Sequence, residues 1–474
     1  MTSKPRQGAT VRDAVSKLSL ALSLSFLRVS KPLLPACLAA LALAPLHVSA
    51  ASKPAASYSN AVATAWLKLD ILAIQQTPGQ SPPAASRTLA YLGLGLYEAV
   101  VNGMPKHRTL AGQLNELESL PPVQPNETLH WPTVANATLA ALSRMLLPNA
   151  PPDWKNRMDK LERDMPLLYP EDFSPDDRSA EVIIRSETYG KLMAMALMTW
   201  ARTDGGHDPS GALRTRIDNT YVGESGPGAW VQTPPQFARP LLPNWGNNRR
   251  FVPGDAAACP LPGPPPYSEA PDSEFFKQAS EVFQVAKQTP EQQRQIALYW
   301  SDDPGKTPTP SGHWAFVLTD LLRGGKHDLA FAAEASARMT LSMSDAFVAT
   351  WQAKYRYNLI RPVTYVQLAL DSNWVPDMLE TPPFPEYPSG HSVQSGAAAL
   401  VLGRLFGEDT VFVDRFHNDR GWGPRTFKNF KAASDEAAIS RMYGGIHFRA
   451  AIEDGLAQGR CVGEKVMALQ FLHK

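Results

Sequence analysis

Three short segments in the last third of the chain combine cations, small donors and histidines in an order suited to gripping a tetrahedral oxyanion. The first is Lys354-Tyr355-Arg356-Tyr357-Asn358-Leu359-Ile360-Arg361-Pro362. On a continuous helix Lys354 and Arg361 lie two turns apart on one face, and Pro362 favours a break just after the arginine. Two cations on one face repel unless an anion sits between them, although alone the pair also suits a solvated basic face. The second is Pro388-Ser389-Gly390-His391, ahead of a helical pattern from Ser392 to Phe406. The open N–H groups of a helix start bind anions and Gly390 allows close approach. Ser389 adds a hydroxyl donor, and His391 can exchange a proton near neutral pH. A capping turn with an incidental histidine would look the same in isolation. The third is Ser440-Arg441-Met442-Tyr443-Gly444-Gly445-Ile446-His447. Arg441 offers a planar fork for a tetrahedral oxyanion, and Gly444 and Gly445 loosen the chain so that Arg441 and His447 can aim at one centre. His447 then opens a helical pattern from Phe448 to Leu472. Taken together, three cations neutralise charge, Ser389 and Gly390 direct it, and two histidines supply a covalent partner and a proton carrier.

These segments, in this order, resemble the signature of the superfamily joining vanadium-dependent haloperoxidases to type-2 phosphatidic-acid-phosphatase-like acid phosphatases. K-x6-RP, PSGH and SR-x5-H are all present without substitution. The resemblance implies vanadate as cofactor, with His447 as its axial ligand. Lys354, Arg361, Ser389, Gly390 and Arg441 would surround the equatorial oxygens. His391 would hydrogen-bond the apical oxygen and move the proton when hydrogen peroxide binds, while Lys354 polarises the peroxide. Halide would leave as hypohalous acid, with the ion acting as a Lewis acid. Phosphate fits the same residues. In that case His447 is the nucleophile of a phosphohistidine intermediate and His391 protonates the leaving alcohol, as in an exported acid phosphatase. A third reading, an exported protein that binds an oxyanion without turnover, leaves His391 without a task. Trp351, three residues before Lys354, and Phe384, seven before His391, resemble the aromatics flanking the halide region of fungal-type chloroperoxidases. Both also suit a core. With the length of the chain and its helical pattern, they favour the peroxidase and leave the halide open.

Three further positions follow from the resemblance. Trp300-Ser301-Asp302-Asp303 resembles the stretch holding the acid that pairs with the arginine of the SR motif, Asp303 being favoured over Asp302. The acid often found four residues after the last histidine is Ala451 here. Pro310-Ser311-Gly312-His313 repeats the tetrapeptide upstream of the lysine segment; order and spacing select the copy at 388–391 and make His313 structural.

The elements that must position these residues are helical. Ala61–Gln76, Ser86–Val101, Thr133–Leu147 and Ala180–Ala201 place apolar residues at three- and four-residue spacings. Alternating strand patterns are scarce. Proline is the compositional outlier, 43 of 474 residues, about twice the usual ~5%. It concentrates between Thr203 and Ser273, in a connection too long to be an ordinary loop. The expected fold is therefore all-α: a helical bundle over 51–202, a Pro-rich connection over 203–272, and a second bundle over 273–474 carrying the site, the bundles able to pack as one unit. Residues 1–50 read as an export signal. Lys4, Arg6, Arg12 and Lys17 precede apolar stretches, and Val48-Ser49-Ala50 offers a cleavage point, so the protein is expected to be periplasmic or secreted. Beyond them no segment reaches the ~18–20 apolar residues of a membrane span. The net charge of +1 gives no basis for a nucleic-acid partner. An oligomer is compatible with the sequence, but nothing specifies its interface. Cys259 and Cys461 remain after signal removal, and spacing alone cannot say whether they pair.

Overall fold

Side-chain caps open several of the helices, including those that carry Lys354, His391 and Arg441. Ser179, Ser273, Asp328, Ser389 and Asn429 each accept from the backbone N–H three residues on, satisfying a donor that the first turn leaves free. The computed structural model describes residues 52–175, 178–207, 221–253 and 259–473. The N-terminal segment read as an export signal, and part of the Pro-rich connection, lie outside the described residues. Among the described residues there are 13 α-helices. The first five are α1 (Ala61–Gln76), α2 (Pro82–Val100), α3 (Trp131–Leu146), α4 (Pro152–Leu168) and α5 (Ala180–Ala201). After the connection come α6 (Glu274–Lys287), α7 (Glu291–Tyr299), α8 (Thr309–Gly324), α9 (Leu329–Tyr357), α10 (Pro362–Ala369), α11 (Gly390–Phe406), α12 (Phe430–Tyr443) and α13 (Arg449–Met467). Between α11 and α12 a short antiparallel hairpin pairs β1 (Phe412–Asp414) with β2 (Arg425–Phe427). The fold is all-α, as the periodicity predicts. Helix α4 was missed because it buries only Met158 and Met165, too few to mark a period.

The described residues make one compact unit, and the two helical sets share a core that includes Trp66, Tyr91, Trp131, Tyr299, Trp314 and Leu341. The close approaches within it use glycine. In α2, a Cβ on Gly93 would fall 2.8 Å from the carbonyl oxygen of Ser336 in α9. In α13, a Cβ on Gly459 would overlap the Val393 carbonyl and lie 2.9 Å from the Ala397 nitrogen, both in α11. That second contact bears directly on the site, because α11 begins beside His391 and α13 follows His447.

The lysine segment differs from its expected form. Lys354 and Arg361 do not share a helix: α9 ends at Tyr357, and Asn358 caps it in the left-handed region at φ 45°. Arg361 is extended and is the N-cap of α10, with Pro362 as its first residue. Asparagine tolerates the left-handed conformation, and the residue before proline avoids the helical one, so the break comes three residues earlier than the proline alone suggests. The Pro-rich connection braces this break. Ile360 N–H donates to Gly228 (2.8 Å) and Trp230 N–H to Asn358 (2.7 Å). The Leu241 carbonyl accepts from Trp351 Nε1 at 3.1 Å and from the Tyr355 hydroxyl at 2.7 Å. Cys259 and Cys461 form a disulfide, with Cα atoms 5.8 Å apart, which joins the connection to α13.

Substituting Gly459→Ala should lower stability by about 1–3 kcal/mol, the usual range for overpacking. Urea unfolding of the folded variant beside the parent measures it, and an unchanged midpoint would show that α11 and α13 have slack at this contact.

Candidate oxyanion site

The three cations of the motif segments are buried and held by backbone carbonyls rather than carboxylates. Lys354, in the last turn of α9, is fully buried; its Nζ donates to the carbonyls of Pro385 and Glu386, each at 2.9 Å, which leaves one N–H free. Arg361 donates from Nε to Phe384 (2.8 Å), from Nη1 to Ile446 (2.9 Å) and from Nη2 to Pro382 (3.4 Å). Arg441, in the last turn of α12, donates from Nη1 to the Trp300 carbonyl at 3.1 Å, and its buried Nε has no protein partner. Burial makes each of these charges hard to keep. It pushes Lys354 well below the usual lysine range, with Arg361 adding to the effect. It pushes Arg361 down to about 9, and Arg441 down to about 10 against the pull of Asp303 and Asp302. An anion at their focus would relieve all three.

The histidines have the opposite requirement. His391 is the second residue of α11; its ring meets the backbone of Ser301 and Trp300, and its buried Nε2 has no protein partner. His447 lies just ahead of α13, with Nδ1 2.8 Å from Glu386 Oε1 and Nε2 3.3 Å from Arg361 Nη1. Burial, then the neighbouring arginines, holds both rings well below the ordinary histidine range, so both are neutral at pH 7. Burial also pushes Glu386 up to about 7 against the pull of Lys354 and Arg361. No motif pointed to Glu386. The only available signal was the absence of an acid at Ala451, which leaves Nδ1 of His447 needing an acceptor from elsewhere.

Gly390, His391, Arg441 and His447 line one end of a cavity of about 340 Å³, while Trp351, Phe384, Phe347 and Leu241 line its apolar wall. Trp351 and Phe384 are in contact, ring centroids 5.0 Å apart. Phe384 also lies 4.9 Å from both Lys354 Nζ and the Arg361 guanidinium, so its ring face helps hold two charges that no carboxylate hydrogen-bonds. Ser389 accepts from Ser392 N–H at 3.4 Å as the cap of α11, and its hydroxyl proton stays available to a ligand. A Cβ on Gly390 would meet protein atoms no nearer than 3.7 Å. Packing therefore does not require the glycine, and the room it leaves lies on the cavity side. Of the sequence-predicted residues, Gly390, His391, Arg441 and His447 face this space, and Nε of Arg441 and Nε2 of His391 have no protein partner there, a setting suited to an oxyanion such as vanadate.

Asp303 behaves differently from its expected role. It lines the cavity, but its ion pair is with Lys306 at 3.4 Å; it acts on Arg441 only through space. The adjacent Asp302 turns inward at φ 48° and accepts from His313 Nδ1 at 2.9 Å, while Asp414 accepts from Nε2 at 2.7 Å. His313 is stacked between Trp300 and Phe416, at centroid distances of 4.6 and 4.0 Å. Burial opposes its charge, but the two carboxylates outweigh burial and raise it to about 9. This imidazolium clamp fixes the turn that presents the Trp300 carbonyl to Arg441. Its folded pKa lies above the unfolded value near 6.5. The stabilisation is therefore fully present below pH 6.5 and lost as pH rises through 9. Unfolding midpoints of the parent should fall across that window more steeply than those of His313→Gln; parallel curves would show that His313 is not charged.

A family model described as the VCPO second helical-bundle domain matches residues 334–473, which contain all three segments. The chain is similar to a solved bacterial vanadium-dependent iodoperoxidase at 35% identity and a TM-score of 0.75, covering 86% of this chain and 97% of that one. It is similar in fold to the holo form of a bacterial vanadium-dependent chloroperoxidase, at 16% identity and a TM-score of 0.60 over 84% of this chain and 95% of that one. For the apo form the values are 14% and 0.57, over 81% and 93%. No curated protein matches the chain. With its three motif segments around one cavity and 35% identity over nearly the whole of a solved relative, the chain belongs to the vanadium-dependent haloperoxidase family.

Proposed function

We propose that the protein uses bound vanadate to oxidise halide with hydrogen peroxide to hypohalous acid. The observation that carries this reading is the convergence of three buried cations, none held by a carboxylate, on a neutral histidine ring at the end of a cavity. His447 would hold the ion through Nε2. The free N–H of Lys354, Arg361, Nε of Arg441, the Ser389 hydroxyl and the Gly390 N–H would hold its oxygens. Vanadate supplies a Lewis acid that polarises a peroxide oxygen without itself being oxidised or reduced. Nε2 of His391, neutral and without a protein partner, can take the proton that peroxide gives up and return it to the departing oxygen. Lys354 draws electron density from that oxygen, so that halide attacks it. Trp351 and Phe384 keep the approach apolar, where electrostatic interactions are least screened. The 35% identical relative is an iodoperoxidase, which makes iodide the first halide to test. We also propose that the protein is exported: the charged and apolar pattern of residues 1–50 supports this, as does the Cys259–Cys461 disulfide.

Vanadate-free protein should oxidise iodide only after vanadate is restored, read as triiodide formation with peroxide. Equal rates with and without vanadate would sink the reading, and phosphomonoester hydrolysis without halide oxidation would replace it with the phosphohistidine mechanism on the same residues. His391→Ala should cut turnover by about 10²–10⁴-fold while vanadate binding, followed by equilibrium dialysis, stays within a few-fold. Unchanged turnover would remove His391 from the mechanism, and binding without turnover in the parent would leave an oxyanion carrier.

A further inference from the structure

His447 can bond an oxyanion only through a ring nitrogen with a free lone pair. A neutral imidazole has two tautomers, and the partner of one nitrogen decides which is present. Two contacts decide it here, and they agree. Nδ1 lies 2.8 Å from Glu386 Oε1, an acceptor, which places the proton on Nδ1. Nε2 lies 3.3 Å from Arg361 Nη1, a group that can only donate, so a proton on Nε2 would face another proton. Glu386 is itself tightly fixed. It is fully buried, and Oε1 also accepts from the Phe448 N–H at 2.8 Å, so one oxygen locates both the ring of His447 and the backbone just after it. The Glu386 carbonyl accepts from Lys354 Nζ at 2.9 Å, and its N–H donates to Leu359 at 3.0 Å. A single residue therefore spans the site, with its main chain on the lysine and its side chain on the histidine. The position four residues after His447 is Ala451, fully buried. Asp454, further along α13, is bonded to the Tyr387 hydroxyl at 2.8 Å.

We propose that Glu386 is the positioning residue of His447: its carboxylate holds Nδ1–H so that Nε2 carries no proton and can bond the oxyanion in exchange for its contact with Arg361, a task that the sequence of α13 leaves unfilled. This rests on His447 being the residue that bonds the ion, and it holds for vanadate and phosphate alike. The first test needs no substitution. In protein labelled with ¹⁵N-histidine, the His447 signals, identified by their loss in His447→Gln, should show the Nδ1–H tautomer at neutral pH. An Nε2–H pattern would overturn the proposal. The second compares dissociation constants for orthovanadate and inorganic phosphate. Glu386→Gln should weaken both by about 10–100-fold, the usual effect of losing the partner of a ligating histidine. Glu386→Asp, which keeps the charge but shortens the reach, should recover part of the loss, and Asp454→Asn should change neither constant. Binding within twofold of the parent in a folded Glu386→Gln protein would overturn the assignment. If that variant does not fold, the tautomer in the parent decides. Parent protein that binds both ions yet oxidises no halide would reject the peroxidase reading and leave the role of Glu386 standing.

Discussion

Burying three positive charges without carboxylate partners is the constraint on which the rest of this structure depends. An isolated charge taken from water into protein costs several kcal/mol unless its surroundings replace the lost hydration. Here backbone carbonyls replace it. Pro382, Phe384, Pro385, Glu386, Ile446 and Trp300 all turn their oxygens toward Lys354, Arg361 or Arg441. Carbonyl dipoles can hold a cation in place without cancelling its charge, whereas a carboxylate would cancel it. The donors are fixed in place before an anion arrives, so little reorganisation is needed on binding, and an anion would favour the charged forms that burial opposes.

The proline content takes on a physical meaning in this light. The segment 382–388 has prolines at 382, 383, 385 and 388. Proline has no N–H and does not continue a helix or ladder, and this segment forms neither, so its carbonyls are not taken up by regular secondary structure. Four of them face Lys354 and Arg361 instead. The longer excursion before α6 plays the matching part from outside, with Gly228 and Leu241 bracing the end of α9 and its break at Asn358. Helices set the distances, through contacts such as Gly459 on α11, and proline-rich segments supply the acceptors.

What could be read from the sequence divides along the same line. The proposed site residues were legible because type and spacing carry the information: Gly390, His391, Arg441 and His447 line one cavity, with Arg361 against His447 and Lys354 against the carbonyls of the 385–386 segment. Helices α1 and α5 were legible to their ends because their apolar period is regular. Carbonyl contacts were not legible, since any residue can make them. Neither was the left-handed turn at Asn358, which separates Lys354 from Arg361 although their spacing suits one helical face. Glu386 was hidden for another reason. It serves His447 across 61 residues of chain, and no local period or motif marks such a contact. Asp303 acts on Arg441 through space rather than by a direct bond, its ion pair being with Lys306, while the adjacent Asp302 turns inward to His313.

The two copies of Pro-Ser-Gly-His show how far the surroundings decide the outcome. In the first, the tetrapeptide lies inside α8, and His313 is one turn deep, held between Asp302 and Asp414 and stacked between two aromatic rings. In the second, Ser389 is the cap, α11 begins at Gly390, and His391 stands at the helix mouth beside Arg441 with Nε2 unpartnered. A shift of three residues in helix start moves the ring from core to cavity. Burial acts against charge on both rings, yet two carboxylates leave His313 an imidazolium while Arg441 helps keep His391 neutral. One histidine can then act as a fixed cation that braces the turn at Trp300, and the other is free to exchange a proton. That turn in turn holds Arg441, so the first copy stabilises the surroundings of the second.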